Sequence, residues 1–309
     1  MQIQWLRTNQ ELQASGISKI YYRHPLFNNE GKTSDKPVCL VFNDIAQLEE
    51  FLAASQSFEF ASNKIRLIFG LIDKQADANK KENYAQLDTS ESVIFFGNTA
   101  QENKFNKIFN SSSAFISNKC VEKHRTIAYQ RHLSNTIHHQ SVSLGEFRSD
   151  FGRAESYLRA AKAIFFNLNS VRIQDSDYAD SYITGLDIYE ACQIIRFCGM
   201  STDHSFMFLN VSDSKTGNNS WSCVATMIWY YLEGKNQMTI DHPEHTENQV
   251  YMVEHELFNE AISFIKAHQT KRWWFVHPET KEKIPCSEND YNALKNGSIP
   301  ELLLNLFVS

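Results

Sequence analysis

Short unbroken apolar runs alternate along this chain with stretches whose apolar residues recur every three or four positions. Val38–Phe42 (VCLVF) is continuous, as a strand buried on both faces requires. Similar runs lie at Ile65–Ile72, Ser92–Phe96, Ala163–Leu168 and Phe206–Val211. Between them, Asp44–Phe58 places Ile45, Leu48, Phe51 and Leu52 on one side of a helix, with Asn43 or Asp44 positioned to cap it. Leu144–Ala163 contains a helix with Tyr157, Leu158 and Ala161 on one side. Leu186–Cys198 repeats Ile188, Ala191, Ile194, Ile195 and Cys198 at helical steps, and Trp221–Leu232 is a further apolar helix. Strand and helix alternating without hairpin turns predict a parallel sheet covered on both faces. Elsewhere the pattern is weaker. Lys74–Asp88 is a polar run, Ile116–Asn135 is mixed, and Gly234–Asn248 reads as a surface excursion. Glu254–His268 reads as helical, and Asp290–Leu294 as a short acidic helix.

Composition narrows the class without naming a chemistry. The 309 residues are 42% apolar and 21% charged, and their length alone leaves the domain count open. A net charge of -6 gives no global attraction to nucleic acid or anionic lipid. The six cysteines, Cys39, Cys120, Cys192, Cys198, Cys223 and Cys286, form no C-x-x-C pair and several sit in apolar runs. That usage fits reduced, buried thiols. The segment MQIQWLRTNQEL has no basic region followed by an apolar one, and no apolar stretch approaches the roughly 20 residues that span a bilayer. The expectation is a cytoplasmic protein that neither inserts into membranes nor binds nucleic acid.

Six pieces in order carry a resemblance: LGEFRSD (144–150), IFFNLNSVRIQD (164–175), GLDIYEACQIIRFCG (185–199), FMFLNVSD (206–213), ATMIWYYLEG (225–234) and RWWFVHPETKEKIPCSENDY (272–291). Together they resemble the manganese ureohydrolases, the arginase, agmatinase and formimidoylglutamase superfamily, and most of all its Bacteroidetes arginase-like members. The likeness covers residues 144–291; the first 115 residues match loosely and look shorter than the family's N-terminal half. The resemblance implies a three-layer α/β/α domain with a mainly parallel sheet, similar to arginases and deacetylases. It also implies a ureohydrolase-like domain over residues 1–235 with a C-terminal extension, 236–309, packed on it.

Active members of that superfamily hold two manganese ions on a GGDHS-like turn, a DAHxD strand end and an SxDxDxxDP strand end. Hard divalent cations want anionic oxygen, and a close pair of them needs bridging carboxylates. The paired ions then lower the pKa of a bridging water. This chain departs from that pattern. Asn167 and Asn169 stand where the third motif has aspartates, Phe165 replaces its serine, and Asn210 falls where the family's substrate-holding Glu lies. VCLVFND (38–44) keeps only Asp44 of the first motif; FGLIDKQAD (69–77) keeps Asp73 and Asp77, with Gln75 in place of the histidine. The expectation is a degenerate member with no catalytic residues and no cofactor, a pseudoenzyme acting as a binding or scaffolding protein through a protein partner or self-association. Two alternatives stay open. One is a manganese-dependent amidinohydrolase with an atypical site on Asp44, Asp73 and Asp77. The other is a small-molecule sensor using the old cleft.

Other motifs have plainer readings. STDHS (201–205) mimics the GGDHS signature but precedes a strand, so it reads as a loop. His242, His245 and the adjacent His138 and His139 read as solvated histidines, because metal ligands converge from separate elements. Trp273 and Trp274 read as packing of the C-terminal segment, and Cys192 and Cys198 as core.

Overall fold

The computed structural model describes residues 2–6, 38–55, 67–73, 92–97, 113–116, 127–133, 136–172, 175, 184–201, 206–211, 218–240, 242–256, 258, 260–300 and 302–304. In chain order the strands are β1 (Gln2–Leu6), β2 (Val38–Phe42), β3 (Leu67–Asp73), β4 (Ser92–Gly97), β5 (Ser113–Ile116), β6 (Ile127–Leu133), β7 (Thr136–Val142), β8 (Ala163–Asn167) and β9 (Phe206–Asn210). They form one sheet in the order β1-β3-β2-β4-β9-β8-β5-β6-β7. From β3 across to β5 every pairing is parallel. The antiparallel strands β1, β6 and β7 flank that centre. The fold is α/β with a mainly parallel sheet.

Both faces of the central strands β2, β4, β8 and β9 are buried, which explains their unbroken apolar runs. Leu40, Phe42, Ile94, Phe96, Ile164, Phe166, Met207 and Leu209 point into a core shared with the helices. Phe42 and Phe96 stack there at 4.5 Å. The alternate residues Val41, Phe95, Phe165 and Phe208 are no more than 2% exposed, so the opposite face is covered as well. The three-layer expectation rests on this double burial.

Helices α1 (Ile45–Ser55), α2 (Leu144–Ser149), α3 (Phe151–Ala160), α4 (Ile188–Gly199) and α5 (Asn218–Ile240) follow their strands. α1, α5, α4 and α3 pack side by side in that order along the first face. Their starts are written into the sequence. The Asp44 carboxylate accepts from Gln47 N at 3.1 Å, while Asn43 N donates to Gln47 Oε1. Ser143 with Glu146 and Asp187 with Glu190 form reciprocal capping boxes at α2 and α4. α4 and α5 touch backbone to backbone through two glycines. A Cβ on Gly199 would lie 2.3 Å from the Tyr231 carbonyl oxygen, and one on Gly234 2.2 Å from that of Arg196.

The C-terminal region is a second, antiparallel sheet of β10 (Gln249–Val253), β11 (Ile262–Lys266), β12 (Trp273–Val276) and β13 (Lys283–Cys286), followed by α6 (Glu288–Lys295). Phe264, Trp273, Phe275 and Ile284 join the main core. Arg159 on α3 ties the two parts together. It is 2% exposed, its Nη2 donates to the Trp273 carbonyl at 2.8 Å, and its guanidinium lies over the Trp274 ring. Glu155 links Arg159 to Arg272. Both tryptophans are buried packing residues, as read from the sequence.

Three expectations are corrected. The helix expected over Glu254–His268 gives way to a strand at Ile262–Lys266: Ile262 and Phe264 alternate into the core as β11, paired on both sides. Ile262 and Ile265 also fit a helical step, so local periodicity could not separate the two. The surface excursion does not begin at Gly234, because α5 runs on to Ile240, with Gly234 against α4 and Lys235 Nζ reaching the Ser201 carbonyl. The absence of hairpins also fails, since β6 and β7 pair antiparallel from Leu133↔Thr136, two residues apart. Their polar sequences hid them. The Lys74–Asp88 run lies outside the described residues.

Gly199→Ala and Gly234→Ala are each expected to destabilise the protein by about 1–3 kcal/mol, since backbone has to move to admit the methyl group. Urea unfolding checks this. Arg159→Ala removes the clamp between α3 and the second sheet and is expected to cost about 3 kcal/mol.

Candidate functional site

Parallel pairing aligns the C-terminal ends of neighbouring strands, and in open α/β sheets ligands bind at those ends. The centre of this sheet puts Gly97, Asn210 and Asn167 in one row, as the direct register partners Gly97↔Asn210 and Asn167↔Asn210. β5 runs beside β8 and ends one residue short of this row, at Ile116↔Phe166. Val211 N donates to the Gly97 carbonyl at 2.7 Å, fixing the chain just past Asn210.

The row is built of neutral groups. Asn210 is 1% exposed. Asn167 is half-buried, and its Oδ1 accepts from Asn169 N at 3.2 Å while its carbonyl accepts from Ser170 Oγ at 2.7 Å. It thereby caps a 3-10 turn, Leu168–Ser170, that holds half-buried Asn169 beyond the strand end. Gly185 backs this turn closely: a Cβ there would lie 2.6 Å from the Ser170 carbonyl oxygen. The nearby charges are engaged with each other. Arg148 donates to Glu190 at 3.1 Å and to the Gly185 carbonyl, and Arg172 pairs with Asp175 at 2.7 Å.

The structure brings Asn167, Asn169 and Asn210 together and separates them from the retained carboxylates. Asp44 follows β2, which is three strands from β8; Asp73 ends β3, which is four. At about 4.8 Å per strand these offsets are roughly 14 and 19 Å, against ions held about 4 Å apart in paired-metal sites. Asp44 also spends its carboxylate on the α1 cap. Asp77 lies outside the described residues. The strands that flank the asparagines are β4 and β5, whose first four following residues are Asn98-Thr99-Ala100-Gln101 and Ser117-Asn118-Lys119-Cys120, with Glu102, Glu122 and His124 coming only further along the chain. Sequence reading missed these two segments, because a linear pattern does not say which strands are neighbours. Their signal was the strand pattern at Ser92–Phe96 itself.

A manganese pair is a poor fit for these residues. Amide oxygens are neutral and cannot offset the repulsion of two divalent ions. Among the described residues, no group of three or more His, Cys, Asp or Glu side chains is placed to hold a metal.

The remaining motifs lie apart. His242 accepts from Glu244 N in an exposed turn, and His245 is exposed. His138 and His139 lie on β7 opposite Arg131 and Gln130. In the STDHS loop, Ser201 is buried and 202–205 lie outside the described residues. Cys192, Cys198, Cys223 and Cys286 are free and buried. Burial pushes the Cys192 thiol up to about 12 and those of Cys198, Cys223 and Cys286 higher, so none is a nucleophile at neutral pH.

No protein-family model matches the chain, and no curated protein matches it. Solved structures do. Formiminoglutamase of Trypanosoma cruzi with manganese is 13% identical, covering 68% of this chain and 96% of its own, with a TM-score of 0.44. Agmatine ureohydrolase of Thermoplasma volcanium is 10% identical over 74% of this chain and 98% of its own, TM-score 0.45. Formimidoylglutamase of Bacillus subtilis is 9% identical over 67% and 89%, TM-score 0.45. What this chain can do rests on its own strand order and residues.

Two outcomes follow from this geometry. Asn167→Ala loses the turn cap and is expected to cost about 1 kcal/mol, whereas Asn167→Asp keeps the acceptor and costs less, measured by thermal unfolding. The raised thiol pKa values stabilise the fold below pH ~9, and that stability is lost as pH rises toward 12, because the unfolded thiols ionise first. Stability is expected to fall by about 1.4 kcal/mol per pH unit per thiol in that window, with a shallower slope in Cys198→Ala.

Proposed function

We propose that this chain is a non-catalytic relative of the ureohydrolases, a cytoplasmic pseudoenzyme that works as a binding or scaffolding protein. One observation carries the reading: the aligned ends of β8 and β9 present amides, Asn167, Asn169 and Asn210, while Asp44 and Asp73 stand three and four strands from β8. Paired-ion hydrolysis needs convergent carboxylates to cage the ions and acidify the bridging water. Neutral amides do neither. A fold retained without its chemistry acts through its surfaces, and function is argued from sites and not from fold.

The amidinohydrolase reading, with Asp44, Asp73 and Asp77 as ligands, gains no support from this strand order. Its test is direct. Protein dialysed against manganese and then freed of loose metal is expected to retain well under one ion per chain by elemental analysis. It is also expected to leave arginine, agmatine and formimidoylglutamate unhydrolysed. Retention of two ions per chain together with hydrolysis of any of these overturns the reading. The triple variant Asn167→Asp, Asn169→Asp, Asn210→Glu is expected to remain inactive, since the residues directly after β4 and β5, Asn98-Thr99 and Ser117-Asn118, offer neutral groups and no anion beside the restored carboxylates.

A further inference from the structure

The two edges of the C-terminal sheet are built differently. β13 carries Lys283 and Pro285 and lies against α3. Lysine and proline are devices by which exposed edges avoid pairing. β10, at the other edge, reads QVYMV, with no charge, proline or glycine. Among the described residues it pairs only with β11. Val250 and Met252 are 63% and 64% exposed on its outer face, adjacent apolar side chains that water covers. The strand is firmly seated. Its inward residue Tyr251 packs at 5.3 Å on Trp273 and 5.4 Å on Tyr291, and Val253 is buried. A rigid, uncharged edge is a template for another strand.

We propose that β10 pairs antiparallel with β10 of a second copy of this chain, about a two-fold axis through Tyr251, joining two four-stranded sheets into one. The sequence is self-complementary in that register. Val250 stands opposite Met252 of the second copy, and Met252 opposite its Val250, so the four exposed apolar side chains meet on one face. Neighbouring registers lose this match. Centring on Val250 sets Met252 against Asn248, and centring on Met252 sets Val250 against Glu254. Directly opposed apolar pairs stabilise an antiparallel ladder, whereas an apolar residue against an amide or a carboxylate does not. A two-fold interface closes on itself, which gives dimers and not filaments. The contact is one short strand wide, so the dimer is a weak one that forms at micromolar concentration. This pairing stands whether or not the strand-end site is catalytic.

Sedimentation velocity of the full chain across the micromolar range tests it. A concentration-dependent monomer–dimer equilibrium is expected, and Met252→Lys, at an exposed position that leaves the fold intact, is expected to weaken it roughly tenfold or more. Register is read by cross-linking. The double variant Val250→Cys, Met252→Cys is expected to oxidise to a covalent dimer on a non-reducing gel, while wild type and each single variant stay uncrosslinked. A wild type that remains monomeric at high micromolar concentration overturns the proposal. So does a dimer indifferent to Met252→Lys, which places the contact or the partner elsewhere. A single variant that cross-links as well as the double refutes the register.

Discussion

The parallel alignment of β4, β9, β8 and β5 is the constraint on which the site depends. Main-chain hydrogen bonds fix the register Gly97–Asn210–Asn167, and that register decides which strand ends become neighbours. Once they are neighbours, the chemistry available is whatever side chains follow them. The residues that directly follow, Asn98-Thr99, Ser117-Asn118 and the asparagines themselves, are amides and hydroxyls, while Asp44 and Asp73 follow β2 and β3, three and four strands from β8. What these strand ends can hold is therefore a question of charge at a fixed place. An asparagine fills the space of an aspartate and can cap the same turn, as Asn167 does for Asn169 N. It contributes no negative charge to hold a cation.

The rest of the molecule keeps that row in place. Four helices cover one face of the sheet, and α4 and α5 approach so closely that their glycines meet opposing carbonyls. Reciprocal capping boxes fix where α2, α4 and α6 begin. The second sheet is bound to α3 by a buried arginine that is at once a hydrogen-bond donor to Trp273 and a cation over Trp274. A buried guanidinium with several partners is costly to disturb and specific in geometry. It fixes the second sheet against α3 with β10 on the side away from β13, so the most exposed apolar side chains of that sheet lie on a held edge.

Much of the parallel centre was legible in the sequence. VCLVF, AIFFN and FMFLN read as doubly buried strands because no residue in them interrupts the apolar run until the asparagine at the end. Ile188–Gly199 read as a helix because its apolar side chains fall on one stripe. That positions 167, 169 and 210 carry neutral amides was also visible, since residue type alone shows whether an anion is present. Where reading failed, the local pattern fitted two structures. Residues 262–267 satisfy both helical and strand periods, and pairing with β10 and β12 settled the matter. β6 and β7 carry too few apolar residues to announce themselves, because flanking strands need no doubly apolar sequence. Polar composition after Gly234 suggested a loop, although packing on α4 carries α5 further.

By itself, then, the sequence determined the chemical repertoire: which side chains are apolar, which can cap a helix, and where neutral asparagines end an apolar strand. Only the tertiary structure decided adjacency. Strand order is set by long-range main-chain pairing that leaves no local trace, so no reading of the chain could tell that β4 and β5, and not β2 and β3, flank the asparagines. The same holds for β10: its apolar residues are plain in the sequence, but that they lie exposed on a sheet edge follows from which strands found partners.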